Sequence, residues 1–213
     1  MTPPSPPARR PARLLLVLAV ALGLVAAACG GDDGDDQLRG IQRTPAPEVG
    51  ETSLPDVSEG GEEMPFRADE GEVLLAYFGY THCPDVCPTT LADVRTALED
   101  LGDDADRVEL AMATIDPERD TGEVLTPYVR SFVPDAHALR TTDDAQLQQA
   151  ADLFGVTYDV ATDDAGEVQV THSGFLYAVD DQGRLLVSWA FGTPAEDIAH
   201  DLELLLDQQA GPE

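Results

Sequence analysis

An apolar run from Val73 to Tyr80 is followed at once by two cysteines and then by apolar residues at helical spacing. The run fits a strand buried on both faces, as occurs inside a parallel sheet. Leu91, Val94, Leu98 and Leu101 form a helical stripe that stops at Gly102. The pattern then alternates: a strand over 108–115, a helix with Val124, Leu125, Tyr128, Val129 and Phe132 on one face, a short strand over 138–141, and a helix closed by Gly155. Asp120 with Glu123 reads as a capping box for the middle helix, and Pro127 should kink it or delay its start. Two strands, 174–179 and 185–191, flank Asp180-Asp181-Gln182-Gly183, a hairpin signal, and a helix over 195–205 closes the chain. This order predicts an α/β domain with a central mixed β-sheet flanked by helices, the thioredoxin-like fold with insertions. Leu54, Val57, Met64 and Phe66 add an N-terminal extension of short strands.

The segment Gly79 to Pro88 holds Cys83 and Cys87, two of three cysteines in the chain. Thiols at this spacing can share a soft metal, close a disulfide or alternate between the two states. The strand–helix junction places them in the first helical turn, where unpaired N–H groups and the positive dipole end stabilise thiolates. Spacing i, i+4 puts both sulfurs on one face. Asp85, between them, is expected to cap the helix.

The third cysteine belongs to the N-terminus. Arg9, Arg10 and Arg13 precede an apolar stretch from Leu14 to Ala28, and Cys29 follows directly. A basic start, a short apolar core and small residues before a break read as a secretory signal over 1–28. The end of this segment resembles a bacterial lipobox, which would make Cys29 the lipidated mature N-terminus; the alternative is an uncleaved anchor. The acidic stretch from Gly30 predicts a flexible linker over 29–52. Residues 53–213 then form the domain. These readings place it outside the cytoplasm, at the outer face of the cell membrane. Without the signal, nine arginines stand against 41 acidic residues, a formal charge of −32. Such a surface repels phosphate backbones and argues against nucleic acid as a partner. The chain has no lysine, which excludes Schiff-base chemistry.

Gly79 to Leu91, Asp116 to Thr121, and Val170-Thr171-His172-Ser173 together resemble the Sco/SenC family over roughly residues 50–209. The resemblance implies a membrane-anchored, copper-binding protein that assists assembly of the dinuclear copper site of cytochrome c oxidase. It implies Cys83, Cys87 and His172 as copper ligands. The partner would be the copper-receiving oxidase subunit or another copper chaperone. The donor types agree with copper: thiolates favour Cu(I), and an added imidazole lets Cu(II) bind as well. Three ligands leave an open position for transfer, whereas structural zinc normally takes four.

A competing reading is a thiol-disulfide oxidoreductase with Cys83 as nucleophile and Cys87 as resolving thiol. Reductases of this fold usually have two residues between the cysteines and need no His172. A peroxidase-like relative would carry Thr and Pro before a single reactive cysteine, which is missing here. A plain structural disulfide would close only a tiny loop. The metallochaperone reading makes the protein a carrier rather than an enzyme. His82 is expected to tune a thiolate rather than bind metal, His137 and His200 to be solvated, and Met112 and Trp189 to be core.

Overall fold

The computed structural model describes residues 36–209 together with Met1 and Thr2. The signal segment over 1–28 and Cys29 lie outside the described residues, apart from Met1 and Thr2. The chain divides into two units, Met1–Gln37 and Leu38–Glu213, and all regular elements below belong to the second. Among the described residues no helix is long and apolar enough to cross a membrane.

The elements run β1 (Ser53–Asp56), β2 (Glu62–Pro65), β3 (Val73–Gly79), α1 (Val86–Leu101), β4 (Val108–Thr114), α2 (Gly122–Arg130), β5 (His137–Leu139), α3 (Asp144–Phe154), β6 (Tyr158–Thr162), β7 (Val168–His172), β8 (Phe175–Val179), β9 (Leu185–Ala190) and α4 (Ala195–Gln209). A short 3-10 segment, Gly102–Arg107, joins α1 to β4. Seven strands form one sheet in the order β2-β1-β5-β4-β3-β8-β9. β3 pairs parallel with β4, from Val73 opposite Val108 to Gly79 opposite Thr114, and antiparallel with β8. All seven residues of β3 are buried, as a central strand between two helical layers must be. This is the mixed, helix-flanked, thioredoxin-like sheet expected from the element order.

Alternation along β3 assigns the two faces. Phe78 packs with Phe154 of α3, Phe66 and Tyr177 in an aromatic cluster with ring centroids 4.9–6.5 Å apart. Its neighbour Tyr77 points the other way, toward α1. α1 in turn packs against α4.

Several local expectations change. Residues from Leu38 to Thr52, expected in the linker, lie along β9. Ile41 bridges Ser188 and Glu48 bridges Arg184. Val49 is fully buried. Buried Asp201 of α4 fastens this segment by accepting from the amides of Arg39 (2.7 Å) and Gly40 (2.8 Å), and from the Trp189 indole (2.8 Å). Trp189 and Met112 are core residues, as read. The β6–β7 hairpin fills a stretch the sequence left unassigned; it pairs Tyr158 with His172 and turns through Asp163 to Gly166. His137 is not solvated: its Nδ1 lies 2.6 Å from Oδ2 of buried Asp56. Burial alone would raise the Asp56 pKa, but hydrogen bonds from Ser58 and His137 outweigh it and hold the carboxyl below its usual range. His200 is half-buried on α4.

α2 starts at Gly122 and runs through Pro127 without delay. Thr121 takes the N-cap position, and its side chain makes no capping hydrogen bond. Asp120 has a different task, described below.

Candidate metal centre

β3 ends at Gly79, and the chain reaches α1 through a six-residue loop containing Cys83. Cys87 is the second residue of α1 and is fully buried; Cys83 sits at the edge of burial. Both are free thiols. The expected cap from Asp85 is absent: Asp85 occupies the N-cap position, but its side chain accepts no hydrogen bond there. The Cys83 sulfur does so instead, taking the Cys87 N–H at 3.2 Å. Sulfur thus sits where helix N–H groups and the dipole favour negative charge.

The loop is fixed from below by Asp120. Its carboxylate is fully buried and accepts from the Thr81 amide (2.9 Å), the Thr81 hydroxyl (2.5 Å) and the Thr114 hydroxyl (2.7 Å). The loop before Cys83 and the end of β4 therefore share one anchor. Exposed His82 is 3.6 Å from the same carboxylate and is not the cysteine pair's third partner. Asp116 pairs with Arg119, whose guanidinium lies 6.0 Å from the Tyr80 ring centroid.

That third partner is His172. It is the last residue of β7, so the hairpin that the sequence left unassigned is what carries it. Its Nδ1 lies 3.0 Å from the Ser173 carbonyl oxygen. A carbonyl only accepts, so Nδ1 carries the proton and Nε2 keeps its lone pair. Nε2 faces the Cys87 sulfur at 3.8 Å. Burial pushes the His172 pKa down, partly offset by the Ser173 carbonyl, which keeps the ring neutral near pH 7. Tyr80 packs edge-on against the imidazole, with centroids 5.8 Å apart.

The ligand atoms of Cys83, Cys87 and His172 all lie within 4.8 Å of one another, the one such His/Cys/Asp/Glu group of three or more among the described residues. Two sulfurs and a neutral imidazole with a free lone pair fit a soft or borderline ion such as copper. Burial pushes the Cys87 thiol up to about 12, a rise opposed by the Tyr77 hydroxyl, so a metal must displace a proton to bind. Met112 is buried nearby but is not among these donors. Gly79 keeps the space open: a Cβ there would lie 2.7 Å from the Tyr77 ring, 3.1 Å from the Cys87 sulfur and 3.2 Å from the Met112 methyl. Sequence reasoning took Asp120 for a helix cap, whereas it anchors the cysteine loop.

Comparison with known proteins comes to the same place. A copper-bound ScoI from Bradyrhizobium japonicum is 32% identical, with a TM-score of 0.62, over 71% of this chain and 95% of that one. Apo Sco1 from Thermus thermophilus is 29% identical, with a TM-score of 0.66, over 79% of this chain and 97% of that one. An SCO2-like protein of Rickettsia typhi is 33% identical over 87 residues, 40% of this chain and 42% of the relative, so the match spans less than half of that protein. The family model described as SCO1/SenC matches residues 47–207, more than half of the chain and all three donors included. By that match the chain belongs to the SCO1/SenC family.

Proposed function

We propose that this protein is a copper carrier that holds the ion through Cys83, Cys87 and His172 outside the cytoplasm and passes it to the dinuclear copper site of cytochrome c oxidase. The convergence of three donors within 4.8 Å carries the reading. A resemblance to a copper-bound relative supports it. Bound copper would be held by two thiolates and one imidazole, and the fourth position would stay open to a ligand of the receiving protein. Lipidation at Cys29 would keep the domain at the outer face of the membrane, where that subunit is reached.

A second reading, reduction of the partner's cysteines by the Cys83–Cys87 pair, draws on the two free thiols lying side by side. It shares a state with the first, because only the reduced pair can bind metal. His172 separates the two, since thiol exchange does not need an imidazole donor. In a strain lacking the gene, oxidase copper should fall, and the wild-type gene should restore it while His172→Ala does not. Normal oxidase copper in the deletion strain, or full restoration by His172→Ala, would reject copper carriage.

A further inference from the structure

The donors come from two separate sheets. Cys83 and Cys87 follow β3 of the seven-stranded sheet, whereas His172 ends β7, which pairs only with β6. The short link from His172 to β8, through Ser173 and Gly174, sets where the residue sits but not which way its ring turns. A histidine side chain has several rotamers to choose from, and only an orientation that aims Nε2 at the cysteines lets it ligate. The bond from Nδ1 to the Ser173 carbonyl stays within the same segment, so it does not tie the ring to the cysteine side. Besides the approach of the donors themselves, at 3.8 Å, the ring contact that crosses from the β3 side is Tyr80. Tyr80 is buried and follows β3 directly. Its ring stands at 84° to the imidazole, with centroids 5.8 Å apart, an edge-to-face geometry that favours one relative orientation.

Tyr80 is itself held. The amide of the next residue, Thr81, donates to buried Asp120 at 2.9 Å. The Arg119 guanidinium lies 6.0 Å from the Tyr80 ring centroid, where a cation is attracted to the ring, and buried Asp116 pairs with that arginine. Asp116 and Arg119 supply no donor to the metal centre. We propose that Tyr80 is a positioning residue for His172: its ring, steadied by Arg119, holds the imidazole in the orientation that aims Nε2 at Cys87. The Asp116–Arg119 pair acts through Tyr80. The ring does this work rather than the hydroxyl, so phenylalanine can replace it. The effect on copper rests on the reading of His172 as a ligand; the orientation of the ring belongs to the metal-free protein. An unheld imidazole has three χ1 wells and two broad χ2 orientations, so it would spend about one part in six in the ligating pose, and copper affinity would fall by up to about sixfold.

The test takes Tyr80→Leu, Tyr80→Phe and Arg119→Gln in the reduced, metal-free protein. Three-bond NMR couplings about the Cα–Cβ bond of His172 report its χ1 rotamers. Wild type and Tyr80→Phe should show the couplings of a single rotamer. Tyr80→Leu should show averaged couplings, and Arg119→Gln a smaller change in the same direction. In competition titrations, Tyr80→Leu should lose about three- to sixfold in copper affinity, and Tyr80→Phe should match wild type. In a His172→Ala background, Tyr80→Leu should change affinity by less than about twofold, because the ring it orients is gone. A loss of full size in that background would mean that Tyr80 supports the cysteines or the fold at large, and overturns the inference. So does a single His172 rotamer in Tyr80→Leu, or averaging in Tyr80→Phe as complete as in Tyr80→Leu. Should Tyr80→Leu fail to fold, Arg119→Gln decides, and unchanged His172 couplings there overturn the inference. If His172→Ala binds copper as tightly as wild type, the ligand reading fails by itself, and the metal-free couplings still decide whether Tyr80 orients the ring.

Discussion

Replacing Cys87 with serine should lower the copper affinity of the reduced protein by more than about 100-fold, beyond the 10–100-fold typical of losing an outer-shell partner. The effect is large because serine offers a neutral hydroxyl where a soft ion would have a thiolate. Cys87 is also fully buried, so water has poor access to fill the vacated position. The same variant should change the pH dependence. Burial pushes the Cys87 thiol up to about 12, so it is protonated at neutral pH and releases a proton when copper binds. Each proton released makes apparent affinity rise about tenfold per pH unit below the thiol pKa. Wild-type affinity therefore climbs from pH 6 to pH 8, and Cys87→Ser should remove about one unit from that slope. His172 adds little to the slope in this range, because burial already pushes its pKa below the usual histidine value. Competition titration with a copper chelator at several pH values measures both effects. An unchanged affinity would exclude Cys87 as a ligand.

Asp120→Ala should destabilise the fold by about 3–5 kcal/mol. The carboxylate satisfies three donors at once, the amide and hydroxyl of half-buried Thr81 and the buried Thr114 hydroxyl. Leaving a buried donor unpaired costs about 1–3 kcal/mol, and the two hydroxyls can recover part of this by rotating. At about 2–4 °C per kcal/mol for a domain of this size, the melting temperature should fall by roughly 10 °C. Copper affinity should also drop, because Asp120 ties the cysteine loop to β4. Asp120→Asn keeps one acceptor and should lose about half as much stability. Thermal denaturation followed by circular dichroism gives the ranking. Equal stability in all three proteins would mean that the network holds nothing.

The sheet was legible where burial was complete. Val73 to Gly79 is apolar on both faces because helices cover both, and that run alone marks a central strand. Gly102 and Gly155 stand where α1 and α3 end, as the sequence indicated. The β6–β7 hairpin escaped because most of its residues are exposed, which leaves only Tyr158, Val160, Val168 and Val170 alternating around an acidic turn. That alternation, with Gly166 in the turn at φ 85°, was a usable signal. Without the hairpin, no local pattern marked His172 as a strand end, and its role as a ligand rested mainly on the family resemblance.

Asp120 was misread for a related reason. Its spacing to Glu123 matches a capping box, but the cysteine loop 39 residues earlier supplies better donors. Tertiary demand outweighed a local pattern, as it did where the Cys83 sulfur replaced Asp85 as acceptor at the start of α1. His137 looked solvated because nothing in the sequence reveals that Asp56, from a short N-terminal strand, pairs across to β5. Such long-range polar partners leave no periodic trace, whereas apolar faces do.

The central claim concerns the donors around the ion, and copper K-edge X-ray absorption of the one-to-one copper complex of the reduced protein tests it directly. The account predicts a first shell with two sulfurs and an imidazole nitrogen, from Cys83, Cys87 and His172. A first shell made only of oxygen and nitrogen donors would contradict it.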